Sequence, residues 1–283
     1  MSQFDLVYQR ATNEHGDQPT GAKMFAFIAI LSVVGFSAAT YIKTLSTKNA
    51  DLLIQDFGVR LSKVKRTALE IERKTFHLTG LMVPLLYHVL LEHAGWSQED
   101  FSSFCWTVTA CAWLADLFRV YAPNGNDTFP FSLLKNVMRE KERVQLSGTS
   151  FFSLGCTLAI SLFPPAISTT SILWLVIGDM SAALIGVSFG GDMCVVKMGR
   201  EGKKSLEGSM AMLIACTIIG MIIYGDIYMS EYAVFLGALV ATVTELYEPL
   251  GLNDNLTIPI VSSLALQWGL SRIEMLQCQP SSF

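Results

Sequence analysis

The sequence is poor in charge. Only 16% of its 283 residues are Asp, Glu, Lys or Arg, where a soluble domain carries about 25%. It has no basic excess: 20 Lys and Arg stand against 24 Asp and Glu, a formal charge of −4, which excludes a generic nucleic-acid binder. Its six cysteines, Cys105, Cys111, Cys156, Cys194, Cys216 and Cys278, form no CxxC pair and mostly lie inside apolar runs. Reduced, packed thiols are therefore expected rather than a zinc site or a disulfide framework. HExxH, GxSxG and the GxGxxG fingerprint are missing, and with them zinc proteolysis, esterase chemistry and dinucleotide redox. Asp5, Glu14 and Asp17 precede the first apolar run. An organelle transit peptide is poor in acids and rich in Arg and Ser, so this segment does not read as one.

What the chain has in abundance is apolar length. Hydrophobic residues make up 51% of it, too many for a disordered chain. A bilayer is crossed by roughly 20 mostly apolar helical residues. Eight segments approach that size, at 24–42, 77–93, 101–122, 146–163, 166–189, 208–225, 232–250 and 256–272, the second and eighth being short or polar. The expected fold is all-α, a polytopic membrane helical bundle of about eight transmembrane helices. Pro164-Pro165 breaks the chain between the fourth and fifth segments. Residues 1–23 read as an N-terminal tail, 24–69 as a first span with a basic link, 70–272 as the main membrane domain and 273–283 as a C-terminal tail.

The positive charges are unevenly placed. The links 43–76, 123–145 and 190–207 hold 16 of the 20 basic residues, and the links 94–100, 164–165 and 226–231 hold none. Lys and Arg favour the cytoplasmic side, so the three basic links and the short link 251–255 are expected in the cytosol, with both termini on the far side. The sequons Asn126-Asp-Thr and Asn255-Leu-Thr fall on cytosolic links and should stay unmodified.

Ionisable groups within spans are costly and point to function. Asp116, Asp179 and Glu245 are such groups. Asp116 has Arg119 at i, i+3, an ordinary helical ion pair. Asp179 lies among small residues, in Gly178-Asp179-Met-Ser-Ala-Ala-Leu-Ile-Gly186, where another helix, a metal or a phosphate can approach the backbone; a plain hydrogen bond to a neighbouring helix is the competing reading. Glu245 is either a site carboxylate or an interfacial one. In Gly199-Arg-Glu-Gly202-Lys203-Lys204-Ser205-Leu-Glu207-Gly208, glycines beside Lys-Lys-Ser at a helix start suit a phosphate. They also suit plain anchoring of the sixth span, and Lys197 stands where a Walker A loop would need Gly. Arg73, Lys74 and His77 precede the second span and could bind phosphate, move a proton or anchor headgroups. Met138-Arg139-Glu140-Lys141-Glu142-Arg143 reads by itself as a solvated helix end. Asp254 or Asn255 could cap the eighth helix or ligate a hard cation. Basic groups for phosphate, acids for Mg²⁺ and an apolar body for lipid, all facing the cytosol, are the parts of phosphoryl or nucleotidyl transfer onto a lipid.

These residues resemble a known family. Arg73-Lys74-Thr-Phe-His77, Met138-Arg139-Glu140-Lys141-Glu142, Gly178-Asp179 with Ala182-Ala183 and Gly186, Lys204-Ser205-Leu-Glu207-Gly208 and Asp254-Asn255-Leu-Thr257-Ile-Pro259 are similar to motifs of the CTP-dependent lipid kinases. That group is related to dolichol and phytol kinases and more distantly to phosphatidate cytidylyltransferases, and the nearest likeness is to the fungal-type CTP-dependent diacylglycerol kinases. It covers about residues 70 to 270.

The resemblance implies transfer of the γ-phosphate of CTP to diacylglycerol or another lipid alcohol, giving phosphatidate from diacylglycerol. It also implies a multi-pass protein of the endoplasmic reticulum or nuclear envelope with its site facing the cytosol, among membrane lipids and without nucleic acid. Arg73, Lys74, Arg139, Lys203, Lys204 and Ser205 are the expected nucleotide-binding residues. Asp179, Asp254 and Glu245 are the expected ligands of Mg²⁺ or Ca²⁺, and Asp179, His77 and Lys204 the expected catalytic groups. Gly178 stands where diacylglycerol kinases often carry Ser and where dolichol and phytol kinases can carry Gly, so the lipid stays open. The alternatives are a polyprenol or phytol kinase, a cytidylyltransferase, or an ion-coupled transporter using Asp179 and Glu245 as a relay.

Overall fold

The computed structural model describes residues 26–30, 33, 37, 78–122, 144–189, 197–198 and 204–277. The described residues are mostly helical. Residues 26–30 are helical within the first expected segment, and Ile28 is fully buried. A 3₁₀ turn, Thr79–Leu81, leads into α1 (Met82–Glu92). α2 (Gln98–Tyr121), α3 (Gly148–Leu162) and α4 (Pro165–Leu173) follow. A π-turn, Trp174–Gly178, joins α4 to α5 (Asp179–Phe189). Strands β1 (Lys197–Met198) and β2 (Lys204–Ser205) pair antiparallel, Lys197 with Ser205 and Met198 with Lys204. α6 (Leu206–Tyr224), α7 (Ser230–Tyr247), a 3₁₀ turn at Pro249–Gly251 and α8 (Asp254–Gln277) complete the order.

Each segment expected from residue 77 onward is a helix. Among the described residues three helices are long and apolar enough to cross a membrane: Gln98–Tyr121, Pro165–Gly186 and Leu206–Tyr224. Thr79–Glu92 and Gly148–Leu162 are apolar but shorter. The described chain is thus mostly helical, with three helices of membrane-crossing length and composition. Among the described residues the short β1–β2 pairing is the one addition to an all-helical expectation.

Sequence chemistry accounts for the helix ends. Ser97 and Asp100 form a reciprocal capping box at the start of α2, with Asp100 N to Ser97 Oγ at 3.1 Å and Ser97 N to Asp100 Oδ2 at 3.0 Å. Pro165 takes the first position of α4, where its missing N–H costs nothing. Ser205 caps α6, its Oγ accepting from Gly208 N at 3.2 Å. Asn253 Oδ1 accepts from Asn255 N at 3.0 Å and opens α8.

Small and hydroxylated residues bind the rods together, as they do between helices in lipid. α2 and α3 share a polar seam: Thr109 to Thr157 at 2.8 Å, Ser102 to Ser161 at 2.7 Å, and Gln98 Nε2 to Ile160 O at 2.7 Å. A Cβ built on Gly155 would stand 2.5 Å from Asn255 O, so α3 and α8 meet backbone to backbone there. A Cβ on Gly208 would stand 2.6 Å from Ala182 O, which sets the approach of α6 to α5. α4 and the π-turn form the middle of the bundle, where Ile167, Ile172, Leu173, Trp174, Leu175 and Val176 are fully buried.

Asp116 is structural, as its spacing from Arg119 suggests. Its Oδ1 accepts from Arg119 Nε at 2.7 Å, and its Oδ2 accepts from Ser147 N at 2.7 Å and Ser150 Oγ at 2.8 Å. Arg119 in turn donates to Gln145 O at 2.8 Å. The pair therefore fastens the end of α2 to the start of α3. Cys105, Cys111, Cys156 and Cys216 are free thiols. Cys194, Cys278 and Asn126 lie outside the described residues. Asn255 is buried and donates to Gly148 O at 3.3 Å, so folding itself closes that sequon. Replacing Asp116 with Ala is expected to destabilise the protein by about 3 kcal/mol, the scale for breaking a buried pair. Asp116→Asn keeps an acceptor and should cost less; thermal unfolding in detergent reads both.

Candidate functional site

One end of the bundle gathers the start of α6, the end of α7 and the start of α8. Lys204, the last residue but one before α6, reaches across to α7. Its Nζ lies 2.5 Å from Glu245 Oε1 and donates to the Glu245 carbonyl at 3.0 Å. Glu248 Oε1 is 3.5 Å away and Asp254 Oδ2 is 3.8 Å away. Three carboxylates from two helices and a turn thus face one ammonium. Asp179, at 5% exposure, opens α5 deeper in the bundle. It lies about 10 Å along the helix axis from Gly186, at 1.5 Å per residue, and Gly186 faces Ser205. Its charge still reaches Lys204.

The electrostatics of Lys204 follow from this setting. Burial by itself would lower its pKa. The charges of Glu245 and Asp254 and the hydrogen bond to Glu245 outweigh burial, and the balance lies above the ordinary lysine value. The ammonium therefore stays charged at neutral pH. What it adds to stability is complete below the ordinary lysine range and fades only as pH rises through the elevated value.

The other expected residues divide into those placed here and those beyond view. Asp179 lies deeper, at the start of α5, and Lys204, Glu245 and Asp254 are brought into one cluster. Ser205 stands beside it, and its hydroxyl oxygen is engaged in capping α6. Arg73, Lys74, His77, Arg139 and Lys203 lie outside the described residues. Among the described residues no three carboxylate, histidine or thiol groups stand close enough to hold a metal ion as they are; the lysine ammonium occupies the centre of the acidic cluster. The donors still suit a hard divalent cation in kind, being carboxylate oxygens. Glu245 Oε2 and both carboxylate oxygens of Glu207 are buried with no hydrogen-bond partner.

Glu248 is a member of the cluster that the sequence reading passed over. It adopts a left-handed backbone, φ 44° and ψ 70°, at the C-terminus of α7. A non-glycine residue enters that region at a cost. The turn keeps its side chain beside Lys204. The available signal was that a second acid follows Glu245 three residues on, directly before Pro249, where the helix must end.

Comparison with other proteins gives distant similarity. No protein-family model matches the chain, and no solved structure matches it. An uncharacterized protein of Rickettsia prowazekii is 27% identical over 197 residues, covering 68% of this chain and 90% of its own. CTP-dependent diacylglycerol kinase 1 of Schizosaccharomyces pombe is 25% identical over 143 residues, covering 46% of this chain and 63% of its own length. CTP-dependent diacylglycerol kinase 1 of Saccharomyces cerevisiae is 25% identical over 221 residues, covering 69% and 71%. The chain is thus distantly similar to fungal CTP-dependent diacylglycerol kinases over part of its length.

Lys204→Ala leaves Glu245 buried without its cation and is expected to destabilise by about 3 kcal/mol. Adding Glu245→Gln should return much of that loss in the same thermal melt. Glu248→Gly relieves about 1 kcal/mol of left-handed backbone strain, so its unfolding midpoint should not fall although an ion-pair partner is gone.

Proposed function

We propose that the protein is an integral membrane kinase that transfers the γ-phosphate of CTP to diacylglycerol, giving phosphatidate, in the endoplasmic reticulum or nuclear envelope membrane with its site toward the cytosol. The observation that carries this reading is the single cluster of Lys204 with Glu245, Glu248 and Asp254 at one end of an apolar bundle, with Asp179 in electrostatic reach. The distant likeness to CTP-dependent diacylglycerol kinases supports the choice of donor and acceptor.

In the proposed reaction the lipid hydroxyl oxygen bonds to the γ-phosphorus, the bond from that phosphorus to the bridging oxygen breaks, and CDP leaves. Lys204 exchanges carboxylate partners for phosphate oxygens, a trade between charges of the same kind. Lys203, Arg73, Lys74, Arg139 and Ser205 extend the grip on the nucleotide. Asp179, with His77 as the other candidate, accepts the hydroxyl proton; little basicity is needed where positioning is good. Asp179, Asp254 and Glu245 would hold Mg²⁺ or Ca²⁺, which when bound neutralises charge on the transferring phosphoryl group. The helices flanking the cluster present apolar faces, as a lipid substrate requires.

Purified protein in detergent, given labelled CTP or ATP and a panel of lipid alcohols, tests the reading. Phosphatidate and CDP are expected from CTP and diacylglycerol. Phosphorylated polyprenol or phytol would move the assignment to those kinases, release of pyrophosphate would make it a cytidylyltransferase, and no lipid product from folded protein would end the kinase reading. Asp179→Asn should abolish turnover while the protein remains folded.

A further inference from the structure

The helix that carries Asp179 is not a simple α-helix. Immediately before the aspartate, Trp174–Gly178 forms a π-turn, whose residues are all buried. A π-turn closes its hydrogen bond one residue later than an α-turn and is common at functional sites. It shifts everything after it by about one residue, a rotation on the order of 100° about the helix axis. If this turn annealed to α-geometry, Asp179 and the rest of α5 would turn by about that angle relative to α4.

Trp174 is built into the turn and into both neighbouring helices. Its Nε1 donates to Cys216 O of α6 at 2.7 Å. Its indole lies against two glycines: a Cβ on Gly220 of α6 would stand 3.2 Å from the ring, and a Cβ on Gly237 of α7 would stand 2.6 Å from it. Gly178, which closes the turn, packs so tightly on α6 that a Cβ there would stand 2.6 Å from Cys216 Sγ. One side chain therefore registers three elements against each other. They carry Asp179 on the π-turn side, Lys204 and Ser205 at the start of α6, and Glu245 two turns beyond Gly237 on α7. A buried indole N–H needs an acceptor, and the Cys216 carbonyl supplies it at the point where the π-turn begins.

We propose that Trp174 is a positioning residue: by fastening the start of the π-turn to α6 and α7 it fixes the rotational phase of α5, and with it the direction in which Asp179 is presented. The consequence for catalysis rests on the kinase reading above; the positioning itself does not.

The test replaces Trp174 with Phe, which keeps an aromatic ring and removes the N–H. In the full-length protein in detergent, kcat per folded molecule is expected to fall at least 10-fold with the KM for CTP changed less than about twofold. An unchanged kcat per folded molecule, with only the folded fraction reduced, would overturn the proposal. A second measurement needs no activity. Thermal unfolding midpoints of Trp174→Phe, Asp179→Asn and the double variant form a cycle. The Asp179→Asn shift seen in the parent should shrink to less than half in the Trp174→Phe background. Additive shifts would overturn the positioning role whether or not the protein phosphorylates a lipid, while a parent that phosphorylates nothing but shows the coupling would end only the kinase reading.

Discussion

The contact between Lys204 and Glu245 is what the candidate site depends on. A carboxylate at 3% exposure on a helix in an apolar bundle is costly unless a cation meets it. Lys204 meets it twice, through the carboxylate and through the backbone carbonyl of the same residue. That carbonyl belongs to the last turn of α7, where a cation is favoured by the helix dipole and by the lack of an intrahelical donor. The same ammonium is within 4 Å of Asp254 at the opening of α8. One side chain from the strand before α6 thus ties together the ends of three segments. The short β1–β2 pairing holds the chain extended where that lysine must reach.

Much of the architecture was legible because the bilayer requirement is simple. A run of about 20 apolar residues leaves few alternatives to a helix, and α2, α4 with α5, and α6 lie where such runs were read. One break was legible for an equally local reason: Pro164-Pro165 cannot continue a helix. Asp116 was legible as structural from its distance to Arg119 alone. The meeting of Lys204, Glu245 and Asp254 was legible in outline, because alternating spans return residues 204, 245 and 254 to one side.

What was not legible depends on contacts between distant parts of the chain. Nothing local announces the π-turn at Trp174–Gly178; its first residue is held from afar, by an indole N–H that donates to the Cys216 carbonyl 42 positions later. The left-handed backbone of Glu248 is likewise invisible in composition, since most left-handed caps are Gly or Asn. Ser205, expected among the nucleotide-binding residues, also caps α6 through its oxygen, a contact its company of lysines does not announce. Asp254, one of the two candidates for the start of α8, does accept from Asn255 N at 2.9 Å, and Asn253, which was not a candidate, accepts from the same N–H at 3.0 Å.

Gly178 shows how packing can imitate a specificity signal. By resemblance, a serine there would point toward diacylglycerol and a glycine toward longer lipid alcohols. In the structure the position is closed by Cys216 and Met212 of α6, so that even a Cβ would stand 2.6 Å from sulfur. A serine would force α6 away from the π-turn unless position 216 were smaller. Glycine at 178 and cysteine at 216 are therefore one steric pair, and the choice at 178 reports how closely α6 approaches. Under the proposed reaction, discrimination between lipid alcohols would come from the residues around Asp179 that a hydroxyl approaches, and not from this helix contact behind it.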